Sequence, residues 1–445
     1  MNALKTNLNK LGHLAEATLN PDSYLLKRQA ETSIKNFLPD PKSSKIAVAM
    51  SGGVDSSVAL FLLKEAGYNV VGITAWLVAG AGRCCDNGVV DAVKVCDELG
   101  VEHHAIDLRE EFATGIIKDF HESYARGETP IPCISCNNDI KWGTLMAYSI
   151  SKLGATHIAS GHYGKLVKDN DSFKLYKARE TKKDQSYMLW GLSQEQLSKT
   201  VFPLADFDKE EIREIAASGN LCVADKPESQ DICFVTNGMT NSDYLTRILG
   251  EKPGNIIEVD SGKIIGEHTG SYNFTYGQRK GIGIAHSEPL YVVEIDAKSN
   301  TIYVGTKEKL FGQKATGKNI NMISIPGEEF EALVKIRYNS APSLAKIKLS
   351  TSKSLSEKLP DARLARTEEA EFTDVNERLK GERNNADGTL QTGFHTVEVD
   401  FLEPVTAITP GQAMVFYDKD GSGEVIGGAW IDSYDDGNRS KSQKN

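Results

Sequence analysis

Hydrophobic and polar positions in the first half of the chain alternate between short apolar runs and longer amphipathic stretches. From Lys45 the order is KIAVAM, SSVALFLLKEAG, NVVGITAWL, VVDAVKVCDELG and VEHHAIDL. Short apolar runs bounded by turn residues predict buried strands, and apolar positions recurring at three- and four-residue spacing predict helices. A β-α-β-α-β order follows. Strands separated by amphipathic helices pair in parallel, so the predicted fold class is α/β, a doubly wound parallel sheet covered on both faces, with ligands at the carboxyl ends of the strands. The pattern continues through a predicted helix near Ile140–Leu153 and a strand in ATHIASGHY.

Further on the periodicity changes. Helical signals at DKEEIREIAASG and SDYLTRILG are followed by the glycine-rich GEHTGSYNFTYGQRKGIGI, which reads as a small separate domain. After Pro289 the chain becomes a series of short strands with turn signals (YVVEID, TIYVG, ALVKIRY, AKIKLS, HTVEVDFLEP, QAMVFYD, EVIGGAWI), a β-barrel pattern. The expected organisation is an N-terminal extension (1–44), the α/β domain (45–204), a small central domain carrying Cys233 (205–288), a barrel (289–435) with a hydrophilic insertion (351–392), and a flexible tail (436–445). No repeat of fixed period is present.

Composition narrows the classes. The 445 residues are 40% hydrophobic and 25% charged, an ordinary globular balance with room for two or three domains. No apolar run approaches the roughly 18–20 residues that span a bilayer. The N-terminus lacks the charged, apolar and small-residue regions of a secretory leader, and its first 44 residues mix basic with acidic side chains, whereas transit peptides are acid-poor. The expectation is a cytoplasmic protein with no membrane partner, a plastid being the alternative location. A net charge of -10 argues against a protein that coats nucleic acid indiscriminately, because that binding depends on phosphate neutralisation. It leaves room for a local basic surface. Residues 161–185 hold Lys165, Lys168, Lys174, Lys177, Arg179, Lys182 and Lys183 against four acidic residues, which reads equally as a solvated face or as an RNA contact. Seven cysteines, an odd number without a leader, do not form a secreted disulfide framework.

The sharpest local signal is Ala49-Met50-Ser51-Gly52-Gly53-Val54-Asp55-Ser56-Ser57, lying between an apolar strand and an apolar helix. Two adjacent glycines let the backbone turn tightly and aim N–H groups at an anion, with serine hydroxyls nearby and the positive end of a helix dipole behind them. Pyrophosphate is the expected guest. A kinase-like loop would end in GK[ST], and no lysine stands here to reach the outer phosphates. SGGVDSS instead resembles the PP-loop of ATP pyrophosphatases, adenine nucleotide alpha hydrolase-like proteins that cleave ATP between its first and second phosphates. Synthetases making argininosuccinate, asparagine, NAD or GMP share such a loop, so the loop alone does not fix the substrate.

Three further segments separate those relatives: TPIPCISCNNDIKWG, ASGHYGKL with KKDQSYMLWGLSQEQL, and ADKPESQDICF, with GQRKGIGI and TPGQAMVFYD following. In this order they resemble the bacterial tRNA-specific 2-thiouridylases, from about Lys45 to Ile431. The resemblance implies an ATP-dependent sulfurtransferase that adenylates the C2 oxygen of wobble uridine-34 in tRNA, gives 2-thiouridine and releases AMP and pyrophosphate. Its partners would be the tRNA anticodon stem-loop and a sulfur donor protein. Cys136 takes the place of the family's catalytic cysteine and Cys233 that of its persulfide carrier. The chemistry agrees: adenylation makes the oxygen a leaving group, a thiolate or persulfide is a soft nucleophile, and a second thiol releases the sulfur by forming a disulfide.

Cys133 departs from the commoner family pattern, which carries Asp there. Cys133, Cys136 and Cys233 make three soft ligands, and a CxxC with a third cysteine is able to hold a [4Fe-4S] cluster with one open iron. Structural zinc competes with this reading, but a fourth ligand at motif spacing is not apparent. The third ligand favours the cluster over a persulfide and disulfide route. Cys96 sits at helical spacing with Val93 and Leu99 and reads as core packing, as does Cys222, while Cys84 and Cys85 have no assigned role.

The resemblance also implies ATP contacts from Ala49, Met50, Ser51, Gly52, Gly53, Val54, Asp55 and Ser56, from Ala75 after the second strand, and from Gly161, where a missing side chain lets the backbone approach closely. Mg²⁺ is expected with the pyrophosphate, Asp55 being its candidate ligand. For tRNA, the family pattern implicates Ile131, Pro132 and Cys133 beside the target base, Lys183, Asp184 and Gln185, and Arg337 with Tyr338. An anticodon base must be splayed from its stack to reach a buried thiol. Two other classes stand against this reading: another PP-loop adenylating enzyme acting on a small metabolite, and a non-enzymatic iron–sulfur or RNA-binding protein.

Overall fold

The computed structural model describes residues 41–79, 86–227, 232–235, 238–351 and 393–435. The extension up to residue 40, Cys84 and Cys85, the insertion from residue 352 and the tail from residue 436 lie outside the described residues. The described residues form two compact units: those up to residue 109, 144–186 and 194–234 make the first, and those of 110–143, 187–193 and from 235 onward the second.

The first unit is a parallel sheet flanked by helices. Its elements are β1 (Lys45–Ala49), α1 (Val54–Glu65), β2 (Asn69–Trp76), α2 (Asp86–Glu98), β3 (His103–Asp107), β4 (His157–Ser160), the hairpin β5 (Lys165–Asp169) and β6 (Ser172–Tyr176), and β7 (Thr200–Val201). The sheet order is β3-β2-β1-β4-β7, so β1 is central and pairs in parallel with β2 (Ile46 with Val70) and β4 (Ile46 with His157). A central parallel strand is covered on both faces, which is why KIAVA reads as a continuous apolar run. Ile46 and Val48 pack with Val58, Leu60 and Leu63 of α1 and with Ile212 and Ile215 of the helix Lys209–Ser218. That helix starts at a capping box in which Asp208 and Glu211 satisfy each other's backbone N–H groups.

The second unit is mostly β. The helix Lys118–Ala125 meets the helix Asn241–Leu249 through His121 Nε2 and the Tyr244 hydroxyl, 3.0 Å apart. A four-stranded sheet takes the order β10 (Tyr291–Asp296), β11 (Thr301–Gly305), β8 (Gly254–Glu258), β9 (Ile264–His268), with β11 and β8 parallel. Six strands then close a barrel: β12 (Phe311–Met322), β13 (Glu329–Lys335), β14 (Ser343–Ser350), β15 (Thr396–Thr406), β16 (Ala413–Tyr417) and β17 (Glu424–Asp435). Antiparallel pairs run β12-β15-β14-β13-β16-β17, and β12 pairs with β17 to complete the ring. Closure leaves no edge exposed. Alternation of exposed and buried residues from Thr396 to Phe401 in β15 places Val397, Val399 and Phe401 in the barrel core.

The sequence-based barrel begins at residue 289, whereas in the structure YVVEID pairs with TIYVG, TIYVG pairs with residues 256–258, and the barrel starts at Phe311. Alternation marks a strand as half-buried without naming the sheet it joins.

Candidate active site

The loop from Met50 to Gly53 leaves β1 at its carboxyl end and enters α1 with Gly53 as N-cap, extended at φ -101° and without a side-chain capping bond. The first N–H groups of a helix have no intrahelical partner, so this start offers them to an anion. Gly52 has φ +67°, a left-handed conformation that favours glycine, and a Cβ there would lie 2.2 Å from the Gly88 carbonyl oxygen. At Gly53 the nearest heavy atom to an added Cβ is Ser51 Oγ at 3.4 Å, so the fold itself has room for a side chain there. The serines divide. Ser57 is fully buried and donates to the Gly53 carbonyl at 2.8 Å, a helical back-bond, whereas Ser51 is exposed, with its Oγ 3.2 Å from Ser56 Oγ.

Asp55 faces the end of β4. Its Oδ1 accepts from the Tyr163 hydroxyl at 2.7 Å and from Lys209 Nζ at 2.6 Å. Gly161 touches the same turn: an added Cβ would meet Ser56 N at 2.6 Å and the Asp55 carbonyl carbon at 2.7 Å. The close approach that this glycine permits is therefore to the start of α1. Ala75 pairs with Ile106 near the end of β2 and is half-buried.

Of the three residues expected to meet tRNA in this unit, two have their polar groups committed to the fold. Asp184 is buried; its Oδ1 accepts from the backbone N–H groups of Ala178 and Ser186, and its Oδ2 accepts from the Ser186 hydroxyl at 2.8 Å. Gln185 holds Tyr163 from both sides, its N–H donating to the Tyr163 carbonyl at 2.8 Å and its Oε1 accepting from the Tyr163 N–H at 3.0 Å. Lys183 is half-buried on the turn before them. Three of the seven basic residues around them form ion pairs: Lys165 with Asp206, Lys174 with Asp169, and Arg179 with Asp208 and Glu211. Exposed pairs of this kind contribute little stability, but they cancel the charge that a free cationic face would need.

The cysteines occupy different settings. Pro132 opens the short helix Pro132–Ser135, and Cys136 begins a π-helical stretch, Cys136–Leu145. Such stretches are rare and concentrate at functional sites. Cys136 is buried, Cys133 exposed and Cys233 half-buried. Among the described residues no group of three or more His, Cys, Asp or Glu side chains is arranged to hold a metal ion. Cys96 is fully buried and its thiol is pushed up to about 12 by burial, as a core residue should be. Cys222 differs from expectation: it is exposed, at a turn where its N–H meets Glu98.

In the second unit, Ile131 and Pro132 line a cavity of about 330 Å³ with Phe120, Trp430, Asp119 and Lys318. Burial pushes the Asp119 carboxyl up. Arg337 donates to the Tyr276 carbonyl at 2.7 Å and to the Thr409 hydroxyl, and burial pulls its guanidinium below the usual value. Tyr338 stands tilted at 57° to Tyr187, its ring centre 6.0 Å away.

Sequence reasoning missed Tyr163, Lys209 and Lys226. Lys226 Nζ donates to the Gly52 carbonyl at 2.7 Å and to Asp91 at 2.5 Å. A signal existed for Lys209. It stands in the first turn of its helix, where a cation opposes the helix dipole and so implies another partner.

Comparisons with known proteins agree with this arrangement. The family model described as tRNA methyl transferase HUP domain matches residues 44–237, that described as tRNA methyl transferase PRC-barrel domain residues 242–306, and that described as aminomethyltransferase beta-barrel domain residues 362–431. The tRNA-specific 2-thiouridylase MnmA of Trichormus variabilis is 38% identical over 395 residues, covering 88% of this chain and 99% of its own. That of Thermosynechococcus vestitus is 39% identical over 394 residues, covering 87% and 94%. Among solved structures, the U34-tRNA thiolase NcsA from Methanococcus maripaludis with its [4Fe-4S] cluster is 19% identical with a TM-score of 0.32, over 50% of this chain and 70% of its own. NMN synthetase from Francisella tularensis is 14% identical with a TM-score of 0.31, over 52% and 86%. At these scores neither structure carries a functional argument.

Proposed function

The chain belongs to the tRNA-specific 2-thiouridylase family, and from that premise we propose that it replaces the C2 oxygen of wobble uridine-34 in tRNA by sulfur, at the expense of ATP. The observation that carries this reading is the uncapped start of α1, which leaves the loop's N–H groups to a pyrophosphate. ATP is the substrate that the loop would hold, through the backbone of Met50 to Ser56. Asp55 would hold Mg²⁺, which supplies charge neutralisation of the phosphates; both of its bonds in the structure fall on Oδ1. Attack of the uridine C2 oxygen on the first phosphate breaks the bond to the second, and pyrophosphate leaves.

The sulfur step is proposed for Cys136 and Cys233. The outer sulfur of a persulfide on Cys233 attacks C2, and AMP departs with the oxygen. The Cys136 thiolate then attacks the Cys233 sulfur. Their disulfide forms, the persulfide S–S bond breaks, and its electron pair stays with the sulfur on C2. A donor protein supplies the persulfide and an external thiol reduces the disulfide. The second reading keeps Cys133, Cys136 and Cys233 as ligands of a [4Fe-4S] cluster, three soft donors of the kind such a site uses. No step is assigned to iron.

Ile131, Pro132 and Cys133 are proposed beside the target base, where the cavity of mixed polar and apolar lining offers the rings of Phe120 and Trp430 for stacking and side chains such as Arg126 and Lys318 for polar contacts. Lys183, Asp184, Gln185, Arg337 and Tyr338 are proposed near the anticodon stem-loop, with Gln185 also holding Tyr163, whose hydroxyl bonds Asp55. Cytoplasmic action is part of the proposal; among the described residues no helix is long and apolar enough to cross a membrane. The deciding experiment is mass spectrometry of tRNA nucleosides after incubation with ATP, Mg²⁺ and a sulfur donor. Appearance of 2-thiouridine with stoichiometric AMP is expected, and AMP without any thiolated nucleoside would reject the assignment.

A further inference from the structure

The nucleotide loop has no lysine of its own, yet one reaches it from the segment that carries Cys233. Lys226 Nζ bonds the Gly52 carbonyl at 2.7 Å and Asp91 Oδ2 at 2.5 Å. Asp91 stands on α2, where Lys94 is a second cationic neighbour at 3.9 Å. The backbone around Lys226 is itself held, because Arg213 donates to the carbonyls of Ala224 at 3.0 Å and Lys226 at 3.4 Å. Gly52 meanwhile rests against the backbone of Gly88, also on α2.

A trans peptide unit is planar, so its C=O and N–H point in opposite directions. While Lys226 holds the Gly52 carbonyl, the Gly53 N–H of the same unit must point away from Lys226. Glycine on both sides makes this unit prone to flip, since glycine populates positive and negative φ almost equally. A flipped unit would aim a carbonyl oxygen where a donor is needed and would repel phosphate. We propose that Lys226 is a positioning residue for ATP: by holding the Gly52 carbonyl it fixes the Gly53 N–H as a donor to the pyrophosphate oxygens, and Asp91 holds Lys226 in place. The proposal rests on reading this loop as the ATP site. It also ties the anion-binding form of the loop to docking of the segment that bears Cys233.

The test measures ATP binding and the rate of AMP formation in the full chain for Lys226→Met, Lys226→Arg and Asp91→Asn, with melting temperatures. Lys226→Met should raise the KM for ATP about tenfold, the size expected from losing one hydrogen bond with a charged donor, with kcat changed less and the melting temperature kept. Lys226→Arg, which retains a cationic donor, should recover most of the affinity, and Asp91→Asn should move KM in the same direction as Lys226→Met. An unchanged KM in folded Lys226→Met overturns the proposal, as does a loss confined to kcat. Should Lys226→Met fail to fold, Asp91→Asn decides by the same criterion. Failure of the broader functional reading looks different, because the unaltered protein would then bind ATP without making 2-thiouridine.

Discussion

The hydroxyl of Tyr163 donates to Asp55 Oδ1 at 2.7 Å, joining the end of β4 to the first turn of α1. Gln185 fixes the Tyr163 backbone from the other side, and Lys209 adds a second bond to the same carboxylate oxygen. The acidic side chain of the nucleotide loop is thereby oriented by residues far away in sequence. Tyr163→Phe keeps the ring in its buried place and removes only this bond. AMP formation should fall by about tenfold, since a hydrogen bond to a charged group contributes roughly 1.5–3 kcal/mol. Steady-state kinetics at saturating tRNA checks this, and an unchanged rate would show that Asp55 needs no help from Tyr163.

Gly161→Ala is a steric probe of the same turn. The added methyl would lie 2.6 Å from Ser56 N and 2.7 Å from the Asp55 carbonyl carbon, both backbone atoms with little freedom to give way. The start of α1 must shift, at a cost of about 1–3 kcal/mol as for other overpacked sites. A lowered melting temperature together with weakened ATP binding is expected, read by thermal unfolding with and without ATP. Normal ATP affinity in this variant would mean that the loop tolerates displacement.

Much of this was legible in the sequence because it is written in local patterns. KIAVA followed by SGGVDSS and an apolar helix specified strand, turn and helix, and the structure has all three in that order. Cys96 at helical spacing was readable as core in the same way. What the pattern could not give was the long-range pairing. Lys209 and Lys226 look like ordinary surface cations until the fold brings them to Asp55 and Gly52. Likewise, the basic residues near β5 and β6 suggested a cationic face, but their partners Asp206, Asp208 and Glu211 come from a different stretch. Cys222 misled for the opposite reason, since a cysteine near apolar residues is usually buried and this one sits on an exposed turn.

The thiol pair gives a separation of activities. The loop that would bind ATP is built from backbone N–H groups and serine hydroxyls, and neither Cys136 nor Cys233 is part of it. Cys136→Ser and Cys233→Ser should each abolish 2-thiouridine while leaving ATP binding intact, because a hydroxyl is neither a persulfide carrier nor a soft nucleophile at neutral pH. Nucleoside mass spectrometry and ATP titration on the same samples make the comparison, and residual thiolation in either variant would contradict the assigned sulfur step.

Cys133 separates the two sulfur routes. It is exposed and stands one helical turn before the buried Cys136, at a position where the commoner family pattern has Asp. Were the three cysteines ligands of one cluster, protein purified without oxygen would carry about four irons per chain, and replacing any of the three would release them. On the thiol-pair route proposed above, the expected result is full thiolation by iron-free protein with a persulfide detectable on Cys233. Cys133→Asp should then keep its activity in air, because the substitution restores the carboxylate and leaves the thiol pair untouched. Cys133→Ala adds a control, since loss in Ala but not in Asp would point to a polar contact with the target base rather than to sulfur chemistry. Stoichiometric iron whose removal stops thiolation, together with an inactive Cys133→Asp, would instead make Cys133 a ligand and require the sulfur to pass through the metal.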